Sequence, residues 1–280
     1  MARIGRRRFL GGAASAAVAA GAYAWRIEPH WVDWVRRDLP IAGLPDDWVG
    51  RTLAQVSDLH AGDVDSDYLR RQLRQLGELR PDAVVFTGDF LTCRDGEPID
   101  EAARVVEALP TPPRGCVAVL GNHDYSMRDG WSNRKTADRL VERLSALGVG
   151  VLRNERRDLG GLEVIGLDDL WGPAFDLPTA MRGRDRNRPA IVLCHNPDGV
   201  DAPFWDGYRG WILAGHTHGG QVRLPLLPPP ILPVNNRRYV AGEYDLGDGR
   251  RLYVNRGLGH LTRVRFKVRP EITLFTLVRA

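Results

Sequence analysis

A chain of 280 residues that is 43% hydrophobic is long enough for one large α/β domain or two small ones, and ordinary in composition for a soluble globular protein. Its net charge of +4 lies wholly in residues 1–24, where Arg3, Arg6, Arg7 and Arg8 face no acid; residues 25–280 are neutral, which removes support for a broad basic nucleic-acid surface. Three cysteines without CxxC spacing, Cys93, Cys116 and Cys194, argue against a disulfide framework, and buried structural thiols are the better reading.

All but two of the 39 basic residues are Arg, the exceptions being Lys135 and Lys267. Their even scatter reads as compositional bias rather than a binding surface.

Residues 1–24 read as an export segment. Arg6-Arg7-Arg8-Phe9-Leu10 resembles a twin-arginine signal, the stretch from Gly11 to Ala24 is rich in Ala and Gly, and Ala22-Tyr23-Ala24 offers a small-x-small cleavage site. Its 14 residues fall short of the roughly 20 needed to span a bilayer. The expected location is therefore the periplasm, cell envelope or exterior, reached through the twin-arginine export machinery. An uncut N-terminal anchor is the alternative, and either case leaves the remaining chain outside.

From Leu53 to Ser57 an apolar strand ends in Asp58-Leu59-His60. Ser66 is expected to cap a helix whose apolar face is Leu69, Leu73, Leu76 and Leu79. A second strand, Ala83 to Phe86, ends at Thr87-Gly88-Asp89, and residues 100–109 follow as a helix. A third, Val117 to Leu120, ends at Gly121-Asn122-His123-Asp124, before a helix striped by Ala137, Leu140, Val141, Leu144 and Leu147. This alternation predicts parallel strands in a layered α/β fold, with polar motifs at the strand ends where open sheets place ligands. Beyond residue 149 strands dominate, at 162–167, 190–194, 211–214, 221–224, 238–244, 251–255 and 271–278. Asp248-Gly249 marks a hairpin. With no interior linker or repeat, a second sheet packed on the first within one domain, residues 25–280, is the economical reading. The stretch Pro225–Pro233 cannot be regular structure. It reads first as a rigid surface loop, with an apolar lip for a lipid-like substituent as the alternative.

Five of the seven histidines fall in Asp58-Leu59-His60, Gly121-Asn122-His123-Asp124, His195 and Gly215-His216-Thr217-His218. Singly, an Asp-x-His or a Gly-Asp is weak, because Asp favours turns. On an extended segment His216 and His218 point to one side. Carboxylates, imidazoles and an amide together suit Mn, Fe, Zn or Co in divalent or mixed-valence states, and the lack of thiolate disfavours a structural zinc site.

In this order the motifs resemble the calcineurin-like metallophosphoesterase superfamily. Ile27-Glu28-Pro29, Ser57-Asp58-Leu59-His60, His195-Asn196-Pro197-Asp198, Gly215 to Val222 and Arg256-Gly257-Leu258-Gly259 extend the resemblance to its YkuE-type bacterial branch, over residues 26–280. The resemblance implies a four-layer α/β/β/α sandwich of two mixed sheets flanked by helices. It implies one metal on Asp58, His60 and His218, a second on Asn122, His195 and His216, and Asp89 bridging both. His123 would face the scissile phosphate, oriented by Asp124. Two such ions about 3.5–4 Å apart activate a bridging hydroxide for in-line attack.

The expectation is thus an exported dinuclear-metal phosphoesterase acting on phosphodiester or pyrophosphate bonds. Its substrate would be a phosphorylated small molecule, lipid or envelope component, with peripheral membrane contact left open. A UDP-2,3-diacylglucosamine-type lipid pyrophosphatase and a non-catalytic binding module on the same scaffold are the alternatives. A nuclease is disfavoured by the neutral chain. Asp168 and Asp169 read as turn residues, His260 as a surface or packing histidine, and Gly219 and Gly220 as letting backbone approach the metals.

Overall fold

The computed structural model describes residues 6–93, 98–126 and 132–280. Its elements run α1 (Arg6–Ala22), β1 (Asp33–Ile41), β2 (Thr52–Val56), α2 (Ser66–Glu78), β3 (Ala83–Thr87), α3 (Ile99–Val106), β4 (Cys116–Val119), α4 (Arg134–Ala146) and β5 (Val149–Val151). They continue with β6 (Glu155–Asp158), β7 (Glu163–Gly166), α5 (Leu177–Met181), β8 (Ala190–Leu193), β9 (Gly210–Ala214), β10 (Gly242–Asp245), β11 (Arg250–Val254) and β12 (Glu271–Arg279).

The strands form two six-stranded sheets, ordered β1-β12-β2-β3-β4-β5 and β10-β11-β9-β8-β7-β6. Strands β2 to β5 run parallel, in register through Leu53↔Ala83, Val84↔Cys116 and Cys116↔Val149. In the second sheet β7, β8, β9 and β11 are parallel. Strand β12 returns antiparallel to β2, and β6 and β10 are antiparallel edges, so both sheets are mixed. Parallel central strands put their C-terminal ends at one edge of each sheet, which is what gathers Asp58-Leu59-His60, Gly88-Asp89, Asn122-His123-Asp124, His195 and His216-Thr217-His218.

Helices α2, α3 and α4 cover the outer face of the first sheet. Leu69, Leu73 and Leu76 of α2 pack there with Val84, Phe86, Ala118 and Leu140. Each fully buried Leu contributes roughly 1.5–3 kcal/mol. A second core fills the space between the sheets, where Leu53, Val85, Val117 and Phe275 meet Val164, Ile191, Leu213 and Tyr253. The outer face of the second sheet is covered thinly, by the five residues of α5 and by 3₁₀ turns and loops. The flanking helical layer is therefore unequal on the two sides.

Several local expectations need correction. Asp65, not Ser66, caps α2, its carboxylate accepting the Tyr68 N–H at 2.7 Å; Ser66 is the first helical residue and bonds Glu101 instead. Leu79 lies past the helix end and is exposed. Residues 221–224 form no strand, only an isolated bridge from Val222 to Phe266. The strand expected over 238–244 is β10, beginning at Gly242. The β10–β11 hairpin forms around Asp248-Gly249, and Gly249 takes φ +90°.

Helix α1 has 17 residues, and among the described residues no helix is long and apolar enough to cross a membrane. After it a π-helical turn, Tyr23–Ile27, brings Ala24 into the body, where its carbonyl accepts the Arg265 N–H at 2.9 Å. Cys93, Cys116 and Cys194 are not joined to one another in a disulfide.

Candidate metal centre

Asp58, His60, Asp89, His195, His216 and His218 converge where the C-terminal ends of β2, β3, β8 and β9 meet. Asp58, His60 and His218 place one ligand atom each within 4.8 Å of one another; so do Asp89, His195 and His216, and so do His60, Asp89 and His123. Asp89 Oδ2 lies 3.7 Å from His60 Nε2 and 3.2 Å from His195 Nε2. One oxygen thus stands between the first group and the second.

The histidine tautomers are set from outside the cluster, by partners of the kind that orient metal-binding imidazoles. His60 Nδ1 meets Thr92 Oγ1 at 2.7 Å, His195 Nδ1 donates to the Thr87 carbonyl at 2.6 Å, and His216 Nε2 donates to the Pro233 carbonyl at 2.6 Å. The remaining nitrogens face inward: His60 Nε2 is 3.0 Å from His218 Nε2, and His216 Nδ1 is 3.1 Å from His195 Nε2. Ring nitrogens this close to one another and to carboxylates form a donor set that a cation between them would suit. Asn122, one residue before His123, is buried with its Oδ1 lacking any hydrogen-bond partner. A buried acceptor left without a donor is costly, and a metal ion would satisfy it. The donor set therefore fits transition-metal ions.

Backbone geometry says the same. Asp58, His60, Asp89, His216 and His218 all have φ between +49° and +72°, a region non-glycine residues adopt sparingly and in which strained functional-site residues cluster. Gly121 must lack a side chain, since a Cβ there would lie 2.7 Å from His195 Nε2 and strike Asp89. A Cβ on Gly219 would strike Val268, and one on Gly220 would strike Pro229.

Burial and the surrounding charges sort the protonation states. Burial holds His60 and His218 well below the usual imidazole range, and burial with the neighbouring His195 pushes His216 down to about 3. Neutral imidazole is the ligating form. Burial opposes a charge on His195, but the Asp89 and Asp58 carboxylates around it raise it well above its ordinary value. Burial pushes the Asp58 carboxyl up to about 6 against the pull of His195.

Asp124 is not where the resemblance puts it. Its two oxygens accept the backbone N–H groups of Asp89, Phe90, Leu91 and Gly121, at 2.9, 2.7, 3.2 and 2.9 Å, rather than the His123 ring. It fixes the loops that carry Asp89 and Asn122, and corrects the expectation that it orients His123. His123 is held otherwise: its N–H donates to Asp89 Oδ1 at 2.9 Å, and its ring meets His60 edge-on at 4.9 Å between centroids. Of the five clustered imidazoles it alone is incompletely buried.

Other residues become visible only here. The buried Arg265 guanidinium donates to the Arg256 and Gly257 carbonyls at 2.9 and 3.1 Å and approaches His218 Nδ1 at 3.4 Å. Trp171 meets the His216 ring edge-on at 4.6 Å. Asp169, expected as a turn residue, does accept the Trp171 N–H at 2.9 Å, and burial raises its carboxyl to about 7. Asp168 ties Tyr125 to Arg153. His260 is buried, and burial with Arg265 pushes it down to about 4.

Two carboxylate–imidazole groups, with Asp89 of one within 3.7 Å of His60 of the other, at the strand ends of two packed sheets, are the kind of site a metal-dependent hydrolase uses. The chain belongs to the calcineurin-like phosphoesterase family, whose model matches residues 51–220 and so spans every ligand candidate from Asp58 to His218. It is 33% identical to the metallophosphoesterase YkuE of Bacillus subtilis (strain 168), over 99% of each chain. It is also 33% identical to the phosphodiesterase YaeI of Escherichia coli (strain K12), over 98% of this chain and 100% of that one. A UDP-2,3-diacylglucosamine pyrophosphatase, LpxG of Chlamydia trachomatis, is 30% identical over 80% of this chain and 83% of its own. The protein is a metal-dependent phosphoester hydrolase.

Proposed function

We propose that the protein hydrolyses phosphodiester or pyrophosphate bonds at a two-ion centre. Asp58, His60 and His218 would hold one ion, Asn122, His195 and His216 the other, and Asp89 both. The observation that carries this reading is the placement of Asp89 Oδ2 between His60 Nε2 and His195 Nε2. Transition-metal ions bound there supply Lewis-acid stabilisation of phosphoryl oxygens and lower the pKa of water. The chain's own residues position and protonate. Thr92, the Thr87 carbonyl and the Pro233 carbonyl hold the imidazoles in the ligating tautomer. His123, half-exposed and pinned through its N–H to Asp89, faces the substrate side and donates a proton to the leaving oxygen. Asp124 keeps the Asp89 and Gly121 turns in place.

Turnover of bis(4-nitrophenyl) phosphate with added Mn²⁺ tests this. Wild type should be active, and His123→Ala and Asp89→Ala should lose most of that activity. Equal turnover by all three proteins would overturn the mechanism.

Residues 1–24 fit a twin-arginine export segment preceding a phosphoesterase domain over 25–280. The arginine motif and the exposed surface of α1 from residue 14 to 22 support that reading. A lipid-precursor pyrophosphatase is a second reading, favoured by an apolar cavity beside His218 and by the name of the LpxG relative. Export counts against it, because nucleotide-sugar lipids are made in the cytoplasm. Cell fractionation decides: a cytoplasmic enzyme would revive the precursor.

A further inference from the structure

Next to His218 lies a cavity of about 280 Å³. Val222, Pro230, Ile231 and Pro233 form one wall, and Leu261 and Val264 the other. Among the described residues lining it, His218 alone is titratable and none is Phe, Tyr or Trp. The Gln221 side chain ties the walls together. Its Nε2 donates to the Thr262 and Val264 carbonyls at 2.8 and 2.9 Å, and its Oε1 accepts the Leu261 N–H at 2.9 Å. These bonds consume polar groups of the walls and leave an apolar lining.

The cavity adjoins the metal centre. His218 lines both, and Pro233, in the cavity wall, accepts from His216 Nε2. Ile231 in its wall is exposed, and in the same segment of chain Leu224, Leu226 and Leu227 are exposed too, Leu226 completely. Contiguous exposed apolar surface beside a polar site marks a binding surface. A charged head group would find no counter-charge in this lining, and a nucleobase no aromatic face to stack on.

We propose that this cavity is a substrate subsite for an alkyl or acyl chain carried by the phosphoester, which it holds beside the scissile group. The inference rests on the phosphoester reading of the adjacent centre and narrows its substrate class to amphiphiles. Ile231, both in the wall and exposed, is the specificity-determining side chain.

A chain-length series tests it. Alkyl 4-nitrophenyl phosphates from methyl to decyl are assayed on the Mn²⁺-loaded protein, and binding of the matching alkyl phosphates is measured by calorimetry. Affinity and kcat/KM should each rise about two- to fourfold per added methylene until the cavity is full, with the negative heat-capacity change of apolar burial. In Ile231→Asp the decyl-to-methyl ratio should fall by at least about tenfold, and Ile231→Leu should keep it. Turnover that is flat with chain length overturns the subsite and leaves the hydrolytic reading standing. Chain-dependent binding with no ester hydrolysed does the reverse. Concentration-dependent dimerisation abolished by Ile231→Asp, with no chain-length effect, would assign the face to a second copy and also overturn the proposal.

Discussion

On the Asp58 side of His218 the chain packs carboxylates and imidazoles in a cluster, with His60, His195 and His216 held by Thr92, the Thr87 carbonyl and the Pro233 carbonyl. On its other side the Pro225–Pro233 segment has no helix or strand and exposes apolar side chains. The two regions share His218 and the His216–Pro233 hydrogen bond, yet they divide the work. The buried side fixes geometry, which chemistry at phosphorus requires to a fraction of an ångström. The open side offers apolar surface without hydrogen-bond demands, suited to choosing among substrates rather than transforming them.

Substitutions should separate the two sides. The largest effect is expected for Asp89→Ala, which removes the oxygen shared by both groups. Steady-state assays should show kcat/KM down by at least about 10³-fold on every substrate, whatever its chain length. His123→Ala should lower kcat by about 10²- to 10⁴-fold, while elemental analysis finds the metal content of wild type. Thr92→Val, which leaves His60 Nδ1 without its partner, should weaken metal affinity about 10- to 100-fold in a chelator competition, with kcat restored at saturating metal. Asp124→Asn should act on stability. It turns one of two oxygens that together accept four backbone N–H groups into an amide donor, and denaturant titration should show a loss of about 2–3 kcal/mol. Smallest is Ile231→Asp: its side chain is exposed, so stability should move by no more than about 0.5 kcal/mol. An Ile231→Asp protein as inactive on methyl esters as Asp89→Ala would break the division between the regions.

What the sequence disclosed follows the same line. The central strands were legible because they are short apolar runs buried on both faces, and the ligand candidates because each follows such a run. Two of the edge strands were not. Strand β6 is Glu155-Arg156-Arg157-Asp158, exposed throughout, and β1 carries Arg36, Arg37 and Pro40 at the margin of its sheet. Charges and proline suit an edge that must not pair further, and they erase the alternation by which strands are recognised. The role of Asp124 was misjudged because proximity in sequence to His123 says nothing about which amides its carboxylate meets. Thr92, Arg265 and the Pro233 carbonyl reach the histidines from remote loops, a relation that exists only once the chain is folded. Positive φ at five candidate ligand positions was equally hidden, since Asp and His tolerate that region without being confined to it.

Metal stoichiometry tests the shared-aspartate centre most directly. Protein purified with added Mn²⁺, desalted and measured by inductively coupled plasma mass spectrometry should contain two ions per chain, and Asp89→Ala fewer than one. A wild type holding a single ion at every metal concentration, or an Asp89→Ala protein that still holds two, would contradict the account.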